Sequence, residues 1–173
     1  MGQYYKPIAI DKKSWVYSHD YGNGLKLMEH SYVGNIFVST VEKLLSPEGD
    51  WHKTRLVWAG DYADDEKGGK PNLFLKFDDD SKITPMGENV VNGRYIVNHT
   101  KKVYVDKMKA PKDAEDGWQI HPLPLLTCEG NGRGGGDYHK DNAHVGTWAR
   151  HVVSIEKIVP KGYEELVPNF IMD

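Results

Sequence analysis

Apolar residues recur along the chain with two different periods, and the switch between them outlines a fold. Val33, Ile36, Phe37, Val41, Leu44 and Leu45 fall on one stripe of a 3.6-residue repeat. Asn35 or Ser31 is placed to cap that stripe, and Pro47 with Gly49 stops it. The spacing therefore predicts one principal helix over about residues 33–46, with Leu25, Leu27 and Met28 extending its buried face. Elsewhere the apolar runs are short and rich in β-branched and aromatic residues, as strands require. Residues 3–10 read as a strand followed by a turn, and residues 14–18 pair back on it. RLVWA at 55–59 is a strand closed by Gly60 and Asp61. Residues 94–98 and 102–107 flank His99-Thr100-Lys101 as a hairpin.

The remaining segments are less regular. Residues 61–72 and 78–93 are acidic, Gly-rich or broken by Pro85, and are predicted as connections. Residues 73–77 fit either a strand or a helical turn. Residues 118–127 read as extended, with Pro122 and Pro124 confining them to a sheet edge. The longest strand candidate covers 146–159, residues 162–166 suggest a final helical turn, and Phe170, Ile171 and Met172 are expected to dock back. Strands outnumber helices and lie in neighbouring hairpins, without β-α-β alternation. This pattern predicts an α+β fold: a mainly antiparallel sheet of hairpins packed against one principal helix.

Composition narrows the class. A chain of 173 residues is expected to form a single domain spanning 1–173. With 39% hydrophobic and 27% charged residues it has the makings of a core and is not a disordered chain. Its formal charge of −3 makes a nucleic-acid partner unexpected, since such proteins carry a basic excess. Acidic runs such as Asp64-Asp65-Glu66 and Asp78-Asp79-Asp80 are expected to be solvated. The single cysteine, Cys128, excludes an internal disulfide and suits a reducing compartment. No apolar run reaches the ~18 residues of a membrane span, and the first ten residues lack a signal-peptide pattern. The expectation is a cytoplasmic protein.

Candidate chemistry concentrates after Glu129. Five glycines fall within residues 130–136, and a side-chain-free main chain can turn its N–H groups onto an anion. Gly132, Arg133, Gly134, Gly135, Gly136, Asp137 and Tyr138 are thus the candidate ligand-binding residues, with Arg133 offering a fork of donors to phosphate or carboxylate. A plain hairpin loop with glycines at positive φ is the competing account. The formal G-x-G-x-x-G match lacks a following helix, so no dinucleotide fold is inferred, and no cofactor is expected. Asp137, His139, Asp141 and His144 are weak metal-ligand candidates because a solvated polar loop explains them equally well. His19, His30 and His99 are weak acid–base candidates, of which His30, beside Glu29, can equally serve a helix cap. Cys128 is expected to be a buried core residue and not a nucleophile. Gly-x-Ser-x-Gly, His-Glu-x-x-His and Cys-x-x-Cys do not occur.

MGQYY at 1–5, NGLKLMEHSY at 23–32, WAGDY at 58–62, NHTKK at 98–102 and the glycine loop resemble an uncharacterised family of short bacterial and phage proteins that open with MGQYY. The resemblance carries no established activity. It implies an origin in a phage or mobile element, a setting in which interference with host defence is common. Three functions stay open on these grounds. The first is a binding protein that holds a phosphorylated or nucleotide-like small molecule at the glycine loop, sequestering a defence signal. The second is an interaction module that blocks a host protein through Tyr4, Tyr5 and Tyr21. The third is a small hydrolase using histidine acid–base chemistry. A homo-oligomer is compatible with all three.

Overall fold

The structure is a computed structural model, and it describes residues 3–85, 93–130, 138 and 143–171. Eight strands form one open sheet: β1 (Tyr5–Ala9), β2 (Ser14–Trp15), β3 (Thr54–Gly60), β4 (Tyr95–Asn98), β5 (Val103–Asp106), β6 (Cys128–Glu129), β7 (His151–Glu156) and β8 (Glu164–Glu165). The order across the sheet is β2-β1-β3-β7-β4-β5-β8, with β6 beside the end of β3. All pairings are antiparallel except β3 with β6 and β5 with β8. Among the described residues four short α-helices accompany it: α1 (Leu27–His30), α2 (Ile36–Leu45), α3 (Leu73–Lys76) and α4 (Pro122–Thr127). The α+β architecture, mostly antiparallel with one helix longer than two turns, is the one that the hydrophobic pattern predicts.

Helix α2 forms for the expected reasons. Its Asn35 cap accepts the Val38 N–H at 3.0 Å, and Phe37, Val38, Val41, Leu44 and Leu45 are buried on one side. They pack on the sheet face that carries Tyr5, Ala9, Leu56, Trp58, Val153, Ile155, Ile96 and Val105, and this is the main core. Alternation along the strands sends Ile8, Val57 and Ala59 to the opposite face. There they meet Trp15, Leu73 and Phe77 in a second, smaller core beneath α3. Both faces are therefore covered at the β1–β3 end of the sheet.

Three local expectations are corrected. Residues 122–127 are helical, because Pro122 and Pro124 occupy the first turn, where missing N–H groups cost nothing. His121 caps that turn by accepting the Leu123 N–H at 3.1 Å. The long strand predicted over 146–159 shortens to β7, since Gly146 (φ 75°) and Arg150 (φ 67°) force turns before it. The tail at 162–166 is extended and adds β8 to the sheet edge. Residues 73–77, ambiguous in sequence, resolve as a helical turn because the Asn72 side chain accepts the Leu75 N–H at 3.0 Å. Phe170 does dock, at 1% exposure, whereas Ile171 is exposed and Met172 lies outside the described residues.

One ionic cluster lies inside the main core. Glu42 on α2 meets Lys107 Nζ at 2.5 Å and His121 Nε2 at 3.2 Å, and all three side chains are nearly inaccessible. Burial pushes the Glu42 carboxyl up, but His121 and Lys107 together outweigh it and hold it below its ordinary value. Breaking such a pair strands a charge without solvent. Glu42→Gln is expected to destabilise the fold by about 3–5 kcal/mol in urea unfolding, and a loss under about 1 kcal/mol would contradict this account.

Candidate ligand-binding cleft

An opening lined by aromatic and charged side chains lies over the second core, at the β2 edge of the sheet. β1 places Lys6 on the same face as Ile8, two residues along the strand. An ammonium at that position is almost wholly buried, at 4% residue exposure, and must be compensated. Lys6 Nζ sits 4.3 Å from the centroid of the Trp15 ring and 4.2 Å from that of Phe74, and donates to the Phe77 carbonyl at 2.5 Å. Two ring faces and a carbonyl dipole thus hold a charge that has lost most of its contact with water. Burial lowers the Lys6 pKa, and the Asp78 carboxylate opposes that shift.

This clamp fixes the walls of a cleft of about 290 Å³. Trp15, Tyr17 and Phe74 supply aromatic surface, Leu25 and Leu75 aliphatic surface, and Lys6, Lys82 and Asp78 the charge. Trp15 and Tyr17 meet edge to face at 6.0 Å. Lys82 Nζ lies 5.7 Å from the Tyr17 ring and pairs with Asp20 at 3.0 Å. The 79–83 turn is itself anchored: Asp79 accepts from the Ser81 N–H and side chain, and the Ile83 N–H donates to the Trp15 carbonyl at 2.8 Å. A mainly apolar hollow with a few converging charged groups is the usual make-up of a small-molecule site. Sequence gave little notice of it, since its members come from residues 6, 15–17, 25, 74–78 and 82.

Gly132, Arg133, Gly134, Gly135, Gly136 and Asp137 lie outside the described residues, as do His139 and Asp141. Tyr138 is buried edge-on against Phe170 at 6.1 Å, and its hydroxyl accepts the Ile171 N–H at 3.4 Å. The residues that border the loop line a second hollow of about 370 Å³, formed by Cys128, Glu129, Gly130, Val145, Gly146, Thr147 and Ala149. On its downstream wall four successive amides are already engaged. The N–H groups of Gly146, Thr147, Trp148 and Ala149 donate to the carbonyls of Leu125, His144, Leu126 and Gly146. Arg150 is engaged as well: it grips Glu66 and Glu129, which raise its pKa further. Glu66, expected to be solvated with its acidic neighbours, is thereby tied into the structure. His144 is half-buried, and among the described residues no group of three or more His, Cys, Asp or Glu side chains could hold a metal ion.

The three histidine candidates do not converge. His19 is exposed, with Nδ1 3.2 Å from the Tyr17 hydroxyl. His99, half-buried, sits between Tyr163 Oη at 2.9 Å and Ser154 Oγ at 2.7 Å, and burial with Lys53 nearby lowers its pKa. His30 is fully buried and both nitrogens are engaged: Nδ1 donates to the Gly24 carbonyl at 3.0 Å, and Nε2 accepts the Trp58 indole N–H at 3.0 Å. That tautomer suits a core hydrogen-bond bridge and leaves no nitrogen for substrate. Tyr5 is also buried, so the proposed aromatic docking face retains only Tyr4, 44% exposed, and the half-buried Tyr21. No described helix is long and apolar enough to cross a membrane.

Comparison with protein-family models, curated proteins and solved structures finds no match to this chain.

Burial lowers the His30 pKa from 6.5 to about 4. The neutral ring stabilises the fold fully above pH 6.5, and this stabilisation is lost as pH falls toward 4, because the unfolded chain takes the proton first. Between pH 7 and pH 5 the loss from this group is about 2 kcal/mol. His30→Phe is expected to be less stable at pH 7.5, with Trp58 left unpaired, yet to have a shallower decline to pH 5. Parallel pH–stability curves for the two proteins would remove His30 as the cause.

Proposed function

We propose that the protein binds a nucleotide-like small molecule in the cleft built on Lys6. The reading keeps the ligand class expected from the sequence and moves its site from the glycine loop to the second core. The observation that carries it is the meeting of three aromatic side chains with two lysines and one aspartate around one opening. Tyr17 and Phe74 are only half-buried, so ring surface remains for a planar base to stack upon. Lys82 is 35% exposed at its side chain and lies at the mouth, where exchange of Asp20 for a phosphate keeps its charge paired. A volume of about 290 Å³ takes one ring system and leaves the sugar and phosphate toward solvent.

Binding, without turnover, is all that this arrangement requires. The clamp that shapes the cleft is made by the chain's own groups, and a site held in that way loses less ordering entropy on binding. Sequestration of a nucleotide signal is one use that such a protein could serve, in keeping with the phage-like character of the sequence.

Calorimetric titration with nucleoside monophosphates tests the site. Phe74→Ala is expected to weaken binding by about 1–3 kcal/mol through lost stacking. Lys82→Ala should weaken it about tenfold at low salt and less at high salt. Arg133→Ala should leave affinity unchanged. The opposite pattern, with Arg133→Ala abolishing binding and Phe74→Ala neutral at unaltered melting temperature, would return the ligand to the glycine loop.

A further inference from the structure

Asp78 is the cleft residue whose chemistry the stacking and phosphate contacts leave unused. Its neighbours fix where it stands: Phe77 is buried at 8% exposure, and its carbonyl is taken by Lys6 Nζ at 2.5 Å. On the other side Asp79 is tied down by Ser81. The Asp78 side chain is exposed toward the cleft, and among the described residues it makes no hydrogen bond or ion pair, acting on Lys6 only through space. The site therefore presents a carboxylate with two acceptor oxygens side by side, to which no described residue donates.

An ionised carboxylate accepts and cannot donate, and two parallel N–H donors satisfy it best. Among the common bases, guanine alone offers two adjacent donors on one edge, the ring N–H and the exocyclic amine. Adenine and cytosine put an acceptor beside their amine, and uracil flanks its single N–H with carbonyl oxygens. Each of these sets an acceptor against a carboxylate oxygen, which costs affinity where water is partly excluded.

Resting on the ligand class proposed above, we infer that Asp78 makes the cleft selective for a guanine base. The base stacks against the open aromatic surface, its donor edge meets Asp78, and its phosphate reaches Lys82. A site built around a hydrogen-bonding edge discriminates more sharply than one built on apolar contact alone.

Titrating the full chain with guanosine 5′-monophosphate and adenosine 5′-monophosphate decides the matter. The guanosine compound is expected to bind at least tenfold more tightly. Asp78→Asn, which replaces one acceptor oxygen by a donor amide, should bring its affinity down to that of the adenosine compound and leave the latter little changed. Equal affinities in the unaltered protein, or a guanine preference that survives Asp78→Asn, would overturn the selectivity while leaving nucleotide binding in place. Failure of both compounds to bind would overturn the nucleotide reading itself, and the selectivity with it.

Discussion

A single buried ammonium organises the part of this molecule where a ligand can enter. Lys6 is carried by β1, next to the β2 edge, onto the face that holds the smaller apolar core, and the charge has to be met from within the protein. Trp15, Phe74 and the Phe77 carbonyl meet it together. Those three groups belong to β2, to α3 and to the residue that ends α3. One interaction thus fastens the edge hairpin and a four-residue helix, too short to persist alone, onto the same spot of the sheet. The cleft is the space left over when these pieces are fixed, so its shape follows from the compensation of one charge.

The two faces of the sheet divide the work. One is sealed by α2 and α4, with polar groups that satisfy each other internally: Glu42 with Lys107 and His121, and His30 between Gly24 and Trp58. That side has the closed character of a stability core, and its titratable groups face one another instead of solvent. The other face is sealed only at one end, by α3 and its aromatic neighbours, and there the charged side chains reach an opening. Function is better sought where charged groups reach an opening than where they are paired inside a core.

Local patterning made the skeleton legible. The stripe from Phe37 to Leu45, the hairpin around His99 and the strand ending at Gly60 each state their period within a few residues, and tertiary packing agrees with them, although Ile36, read as part of the stripe, is exposed. The errors arose where one residue type has two meanings. Pro122 and Pro124 exclude a central strand, but they equally begin a helix, and only the His121 cap decides between these. Gly146 and Arg150 break an apolar run that looks continuous by composition. The tail forms a strand only because β5 offers an open edge. The cleft was illegible for a different reason: Lys6, Trp15, Phe74 and Asp78 are far apart in sequence, and a lysine inside YKPIA reads as a solvent-facing position until its two ring partners are known. The glycine loop was conspicuous in sequence, yet among the described residues near it the amides from Gly146 to Ala149 and the Arg150 guanidinium are engaged internally.

The chain has five tryptophans, which makes their indole N–H signals a direct reporter of where a nucleotide sits. Trp15 lines the cleft on the second core, whereas Trp58 and Trp148 are buried beside the strand and turn that border the glycine loop. Two-dimensional nitrogen–proton NMR during a guanosine 5′-monophosphate titration should displace the Trp15 indole signal progressively and leave those of Trp58 and Trp148 in place. Movement of the latter pair with a stationary Trp15 would contradict the account.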